Sequence, residues 1–189
     1  MTWLVPLLAL LVTLPCHANQ LSAQDQAAIY NLVVLRLIGP DDTYNGQLHP
    51  KKIYISEMLF VPPPAKQILH FYDLLESGPP PPPPDIDVRG APVHIPSDVK
   101  RALTNKYSSE QRQVSWVKDE NSAPISSDEC GNEGSPLLIA FSTLQELPDG
   151  GVFVQGTLQC GPLWGATYYE LAKNAHGWHI TRVMHGPMS

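Results

Sequence analysis

Apolar side chains along the chain recur at two different periods, and the change of period divides the sequence. Near the start, Ala28, Ile29, Leu32, Val33, Leu35 and Leu37 follow helical spacing. This spacing predicts a helix over residues 22–38. Ser22 stands where an N-cap belongs, with Asp25 three residues on, where a capping-box acid would sit. Gly39-Pro40 closes the helix, and a polar turn region with Asn45-Gly46 follows.

Residues 52–61 alternate and carry Ile53, Tyr54, Ile55 and Phe60, which predicts a strand ended by Pro62-Pro63-Pro64. Residues 65–76 return to helical period through Ile68, Leu69, Phe71, Tyr72 and Leu75. A shorter helix is expected over 98–106 with Ser97 as its cap, then a strand over 113–118 around Val114, Trp116 and Val117. The last third holds four strand-like runs: 137–147, 151–160, 166–173 and 177–184. Short Gly-containing connections between them predict an antiparallel meander. In the second run Val152, Val154, Gly156, Leu158 and Cys160 share one face, and Phe153, Gln155, Thr157 and Gln159 share the other. An apolar sheet face needs a cover, and the helix over 22–38 is the candidate.

The expected fold class is therefore α+β: an antiparallel meander packed by an N-terminal helix. A helix followed by a curled antiparallel sheet ending in Gly177-Trp178-His179-Ile180 resembles the cystatin or NTF2-like folds in architecture. The strand and two helices before Val114 would elaborate that plan.

The first residues change the picture of where this domain works. Trp3 to Pro15 is almost wholly apolar, with Thr13 its one polar side chain. The run is too short for a bilayer core, which needs about 20 apolar residues, and suits a secretory signal. Cys16-His17-Ala18 follows, and cleavage is expected between Ala18 and Asn19. The domain organisation expected is thus a signal peptide over 1–18 and one domain over 19–189. That places the protein in a secreted or periplasmic setting, with no stable membrane insertion after cleavage.

Cleavage leaves two cysteines, Cys130 and Cys160, which an oxidising compartment would join. The closed loop would stabilise the fold by roughly 3–4 kcal/mol on the chain-entropy model. Gly78 and the six prolines Pro79 to Pro84 open a polyproline spacer expected over 78–96, extended and without internal hydrogen bonds. The net charge of −6, with 12 Lys and Arg against 18 Asp and Glu, carries no footprint for nucleic acid.

Chemistry is sparse. Phosphate-cradling glycine loops, His-Glu-x-x-His, Cys-x-x-Cys and Gly-x-Ser-x-Gly are all absent from the sequence. The turn Asp41-Asp42-Thr43-Tyr44-Asn45-Gly46 imitates a calcium loop, but Lys52 occupies the position of its bidentate acid. His176, His179 and His185 are too far apart, or on opposite strand faces, to share an ion, so no metal and no cofactor is expected. Glu170, on the same strand face as Tyr168, is the one candidate for a functional carboxylate. Trp164, Tyr168 and Trp178 are the candidate ligand-contacting aromatics. Two functional classes fit these observations. The first is an exported, non-catalytic binding or accessory protein whose partner is a protein or small molecule. The second is a small hydrolase or isomerase with a pocket between helix and sheet.

Overall fold

A computed structural model of the chain describes residues 21–38, 50–78, 93–110, 112–125 and 134–188. The expected cleavage point between Ala18 and Asn19, Cys130 and the proline run Pro79 to Pro84 lie outside these residues. The described elements are α1 (Ala23–Ile38), β1 (Lys52–Ser56), β2 (Met58–Leu59), α2 (Ala65–Ser77), β3 (Val93–His94), α3 (Ser97–Tyr107) and β4 (Gln113–Val117). They continue with β5 (Leu137–Phe141), β6 (Gln145–Glu146), β7 (Val152–Cys160), β8 (Leu163–Asn174) and β9 (Gly177–Met188). The protein is mixed α+β with a mostly antiparallel sheet.

The predicted capping box at the start of α1 forms. The Ser22 hydroxyl accepts from the Asp25 N–H at 3.1 Å and donates to the Asp25 carboxylate at 2.8 Å. Five side chains of α1 are buried: Ile29, Tyr30, Val33, Val34 and Leu37. They lie on the sheet face that carries Val152, Val154, Tyr169 and Leu171. The helix approaches closely because β7 offers Gly156 beneath it. A Cβ on Gly156 would stand 2.8 Å from Val33 Cγ1 and 3.1 Å from Leu37 Cδ1. α3 packs beside α1 through Val99, Leu103 and Tyr107. The Tyr107 hydroxyl, 2.8 Å from Asn31 Oδ1 and 3.1 Å from the Asn31 carbonyl, ties the two helices together.

The sheet runs β4-β1-β5-β7-β8-β9, with β6 joined to β7. The meander of the last third is present, as β5 to β9. The earlier strands are more than an elaboration, however: β1 sits between β4 and β5 and pairs with both in parallel. A parallel pair needs a long crossover, and the segment holding α2, β3 and α3 supplies it between β1 and β4. Short-range alternation carries no information about this pairing.

Two expected strands are each broken, for local reasons. The run over 52–61 stops at Ser56, whose hydroxyl accepts from the Met58 N–H at 3.2 Å and donates to the Met58 carbonyl at 3.0 Å. A side chain that satisfies nearby backbone groups competes with the ladder, and β2 leaves to pair with β3. Val93 and His94, inside the range expected to be spacer, form that partner strand.

The run over 137–147 divides at Ser142. Phe141 pairs with Gly156 and Gln145 with Phe153, so four steps along one strand match three along the other. One extra residue turns every later side chain to the opposite face. Gln145 thereby reaches α2, whose N-cap residue, Pro64, offers no side-chain acceptor. Gln145 Oε1 accepts from the Ala65 N–H at 2.8 Å, and its Nε2 donates to the carbonyls of Pro62 and Pro63.

The hairpin turns are tighter than expected. β8 begins at Leu163, because Gly161 takes a positive φ of 55° and the turn needs only Gly161-Pro162. Trp164 is therefore a strand residue opposite Gln159. β8 and β9 meet at Ala175-His176, with Gly177 at φ 109°.

Gly156→Ala is expected to cost about 1–3 kcal/mol in chemical denaturation, with the slope of the transition unchanged. Val33 is stiff at χ1 and cannot yield the missing space. A variant as stable as the native protein would show that α1 does not bear on Gly156.

Candidate functional site

The second face of the sheet carries the group of residues nearest to a site. Across β7, β8 and β9 the register places Phe153, Glu170 and Arg182 in one row and Gln155, Tyr168 and Met184 in the next. α2 lies over these rows and contributes Ala65, Ile68, Leu69 and Tyr72 to a small apolar cluster with Phe153, Tyr168 and Met184. The rings of Phe153 and Tyr168 stack at 5.9 Å between centroids, with Tyr72 tilted against Tyr168 at 6.3 Å.

Arg182 reaches this face through a second one-residue insertion. Glu170 pairs with Arg182 but Leu171 pairs with Ile180, so Thr181 is extra. Its hydroxyl donates to the Glu170 carbonyl at 3.0 Å. Without Thr181, strict alternation would turn Arg182 toward α1. The insertion instead sets Arg182 under the end of α2. There its guanidinium donates to Asp73 Oδ1 and Glu76 Oε1, each at 2.8 Å. These two bonds hold the Arg182 cation firmly protonated and raise its pKa.

The phenols of this group resist ionisation. Burial, reinforced by Tyr168, pushes Tyr72 up to about 12, and burial raises Tyr168 as well. The Tyr72 hydroxyl donates to the carbonyl of His185 on β9. At neutral pH the arrangement thus holds protonated phenols, one guanidinium paired with the Asp73 and Glu76 carboxylates, and an apolar floor. Glu170 stands opposite Arg182 in the register, and opposite charges so placed stabilise antiparallel strands. Such a set can hold an anion beside an apolar body only where the anion takes the place of Asp73 and Glu76 at Arg182. Serine, cysteine and histidine side chains, the usual nucleophiles and bases, are missing from these two rows.

Of the residues singled out from the sequence, Glu170 and Tyr168 come together here, on one face as expected. Glu170 is half-buried and Tyr168 buried. Trp164 stands at the far end of the β7–β8 hairpin, half-buried beside an exposed Leu163. Trp178 is on the other face, where it packs against the main core. The histidines are dispersed. His176 occupies the β8–β9 turn, and His179 Nδ1 lies 3.3 Å from Asn174 Nδ2. Among the described residues, no group of three or more His, Cys, Asp or Glu side chains could hold a metal ion, and no helix is long and apolar enough to cross a membrane. Cys160 is buried at the end of β7.

Arg182, Asp73, Glu76 and Met184 escaped sequence reasoning. A faint signal existed in Asp73 and Glu76, which are three apart on a predicted helix and so share a face. Nothing in the alternation of β9 reveals the extra residue at Thr181.

Trp178 serves a structural bond. Asp25 Oδ1 accepts from Trp178 Nε1 and from Lys173 Nζ, both at 2.7 Å. Lys173 also lies 5.8 Å from the Trp178 ring. Lys173, Trp178 and Ser22, in that order of effect, hold the Asp25 carboxyl down to about 2. A depressed carboxyl pKa stabilises the fold above the unfolded-state pKa, and the effect is lost as pH falls through the folded value. The native protein is therefore expected to lose more stability between about pH 4 and pH 2 than Asp25→Asn does. At pH 7 the variant should be less stable by about 1 kcal/mol. Parallel pH profiles from thermal melts would remove Asp25 from this role. The chain has no match among protein-family models, curated proteins or solved structures.

Proposed function

We propose that the protein is exported and acts as a non-catalytic binding domain for a small molecule or a protein partner. The observation that carries this reading is the way the polar groups around Glu170 are engaged. Arg182 is bound by Asp73 and Glu76, and Tyr72 by a backbone carbonyl. The phenols are held protonated, which suits donation and not proton abstraction. On the α1 side the space between helix and sheet is filled at Gly156 by Val33 and Leu37, which disfavours a pocket there.

Export rests on the apolar leader Trp3 to Pro15 and on the small residue Ala18 before the expected cleavage point. A bond from Cys160 to Cys130 belongs to the same proposal, as does the stiff spacer of Pro79 to Pro84. A cystatin or NTF2-like architecture for the helix-and-meander portion is likewise proposed. It is supported by α1 lying across β7 and β9.

The intact mass of exported protein, measured without reductant, should correspond to residues 19–189 less two hydrogens. A mass that includes the leader would defeat the export proposal. A second measurement tests binding against catalysis. The exported protein should show no turnover of nitrophenyl esters, phosphates or glycosides above the buffer rate. Its melting temperature should rise with at least one member of a panel of small amphipathic acids. Turnover that disappears in Glu170→Gln would establish the hydrolase reading in its place.

A further inference from the structure

We infer that α2 is a displaceable cover over a binding site for an apolar molecule that carries an anionic group. The inference deepens the binding reading and depends on it. The three helices are attached very differently. α1 buries five side chains and α3 buries Val99, Leu103 and Tyr107. α2 buries only Ala65 and Ile68, both in its first four residues. Its remaining turns, through Ser77, are secured by partly packed Leu69 and Tyr72 and by polar bonds to β9.

Those polar bonds are of a kind that water and competing ions replace readily. Asp73 and Glu76 are exposed over 61% and 72% of their side chains, whereas Arg182 is exposed over 24%. Exposed carboxylates contribute little net stability to an ion pair, so the end of α2 is weakly held. The N-terminal end is fixed differently, by Gln145 to Ala65 and to the Pro62 and Pro63 carbonyls. The helix is thus anchored at its start and loosely latched at its end, the arrangement of a hinged cover.

Beneath Tyr72 lies Tyr168, its ring 6.3 Å away, with Met184 opposite it on β9 and Arg182 in the neighbouring row, while Phe153 stacks on the Tyr168 ring from the side that Ala65 and Ile68 keep covered. Raising the end of α2 would uncover an aromatic and thioether floor next to a guanidinium that has released its two partners. Met and aromatic side chains adapt to varied apolar shapes. A guanidinium recognises carboxylate, sulfonate or phosphate oxygens in bidentate fashion. A ligand with a ring or chain and one anionic group would take the places of Leu69 and Tyr72 on the floor and of Asp73 and Glu76 at Arg182.

The probe is 8-anilinonaphthalene-1-sulfonate, an apolar ring system with one anion, titrated by fluorescence into the exported protein. The double variant Asp73→Asn with Glu76→Gln releases the latch and keeps the shape. It is expected to bind the probe about tenfold more tightly than the native protein. Adding Arg182→Gln should remove most of that increase. Amide exchange should quicken over residues 69–77 in the double variant while residues 29–37 and 152–157 stay protected. The inference is overturned if the double variant binds no more tightly, or if the triple variant keeps the increase. Loss of protection in α1 and β7 would overturn it too, because the probe would then report general loosening. Should an amphipathic acid raise the melting temperature equally in native and triple-variant protein, the binding reading survives and this location for it does not.

Discussion

The close approach of α1 to β7 sets the geometry that everything else follows. A helix lying on a sheet is normally held off by the side chains of both. Here Gly156 removes one layer of side chain, and Val33 and Leu37 descend onto the backbone of β7. The descent brings Asp25 to the β8–β9 hairpin, where it accepts from Lys173 and Trp178. It brings Tyr30 to Ser142, whose carbonyl accepts from the buried phenol at 3.0 Å. One hydrophobic seat thereby fixes two separate polar bonds of the helix, and each costs little because the helix is already placed.

With one face committed to α1, two of the sheet's single-residue insertions aim side chains at the helix on the other face. The one between Phe141 and Gln145 turns Gln145 toward α2, and the one at Thr181 turns Arg182 toward the same helix. Each sends a polar side chain from the meander to one end of α2. Ser142 supports the first insertion: its hydroxyl accepts from the Gln155 N–H at 2.9 Å, and its own N–H donates to the Gln155 carbonyl at 2.9 Å. The second is supported by Thr181. Insertions of this kind recur where a sheet must re-aim a side chain. Here they account for why α2, with so few buried side chains, has a defined position.

The sequence made the local elements legible and left their long-range partners hidden. The start of α1, the alternation of β7 and the hairpins from β7 to β9 all follow from short-range rules: a capping serine, a period of two and a turn glycine. The parallel placement of β1 between β4 and β5 does not, since Ile53 and Ile55 would alternate the same way in any sheet. The breaks at Ser56 and Ser142 were equally hidden. A serine within an apolar run signals a side-chain bond to the backbone only when its partner residue is known. For the candidate site, Glu170 and Tyr168 could be placed on one face from alternation alone. Arg182 could not, because an inserted residue defeats counting by twos.

The difference between the two faces bears on how such a domain could bind anything. A site between α1 and the sheet would need Val33 and Leu37 to leave Gly156, and their departure would release the bonds of Asp25 and Tyr30 as well. Opening there amounts to unfolding. On the α2 side, separation can proceed from one end. The exposed ion pairs of Asp73 and Glu76 part first, then half-buried Leu69 and Tyr72, while Ala65 and Ile68 stay seated against Phe153. Local opening follows the least buried elements, and the order of release along α2 runs from Ser77 toward Ala65. The face that α1 holds gives the sheet its rigidity, and this rigidity allows the opposite face to open while the fold persists.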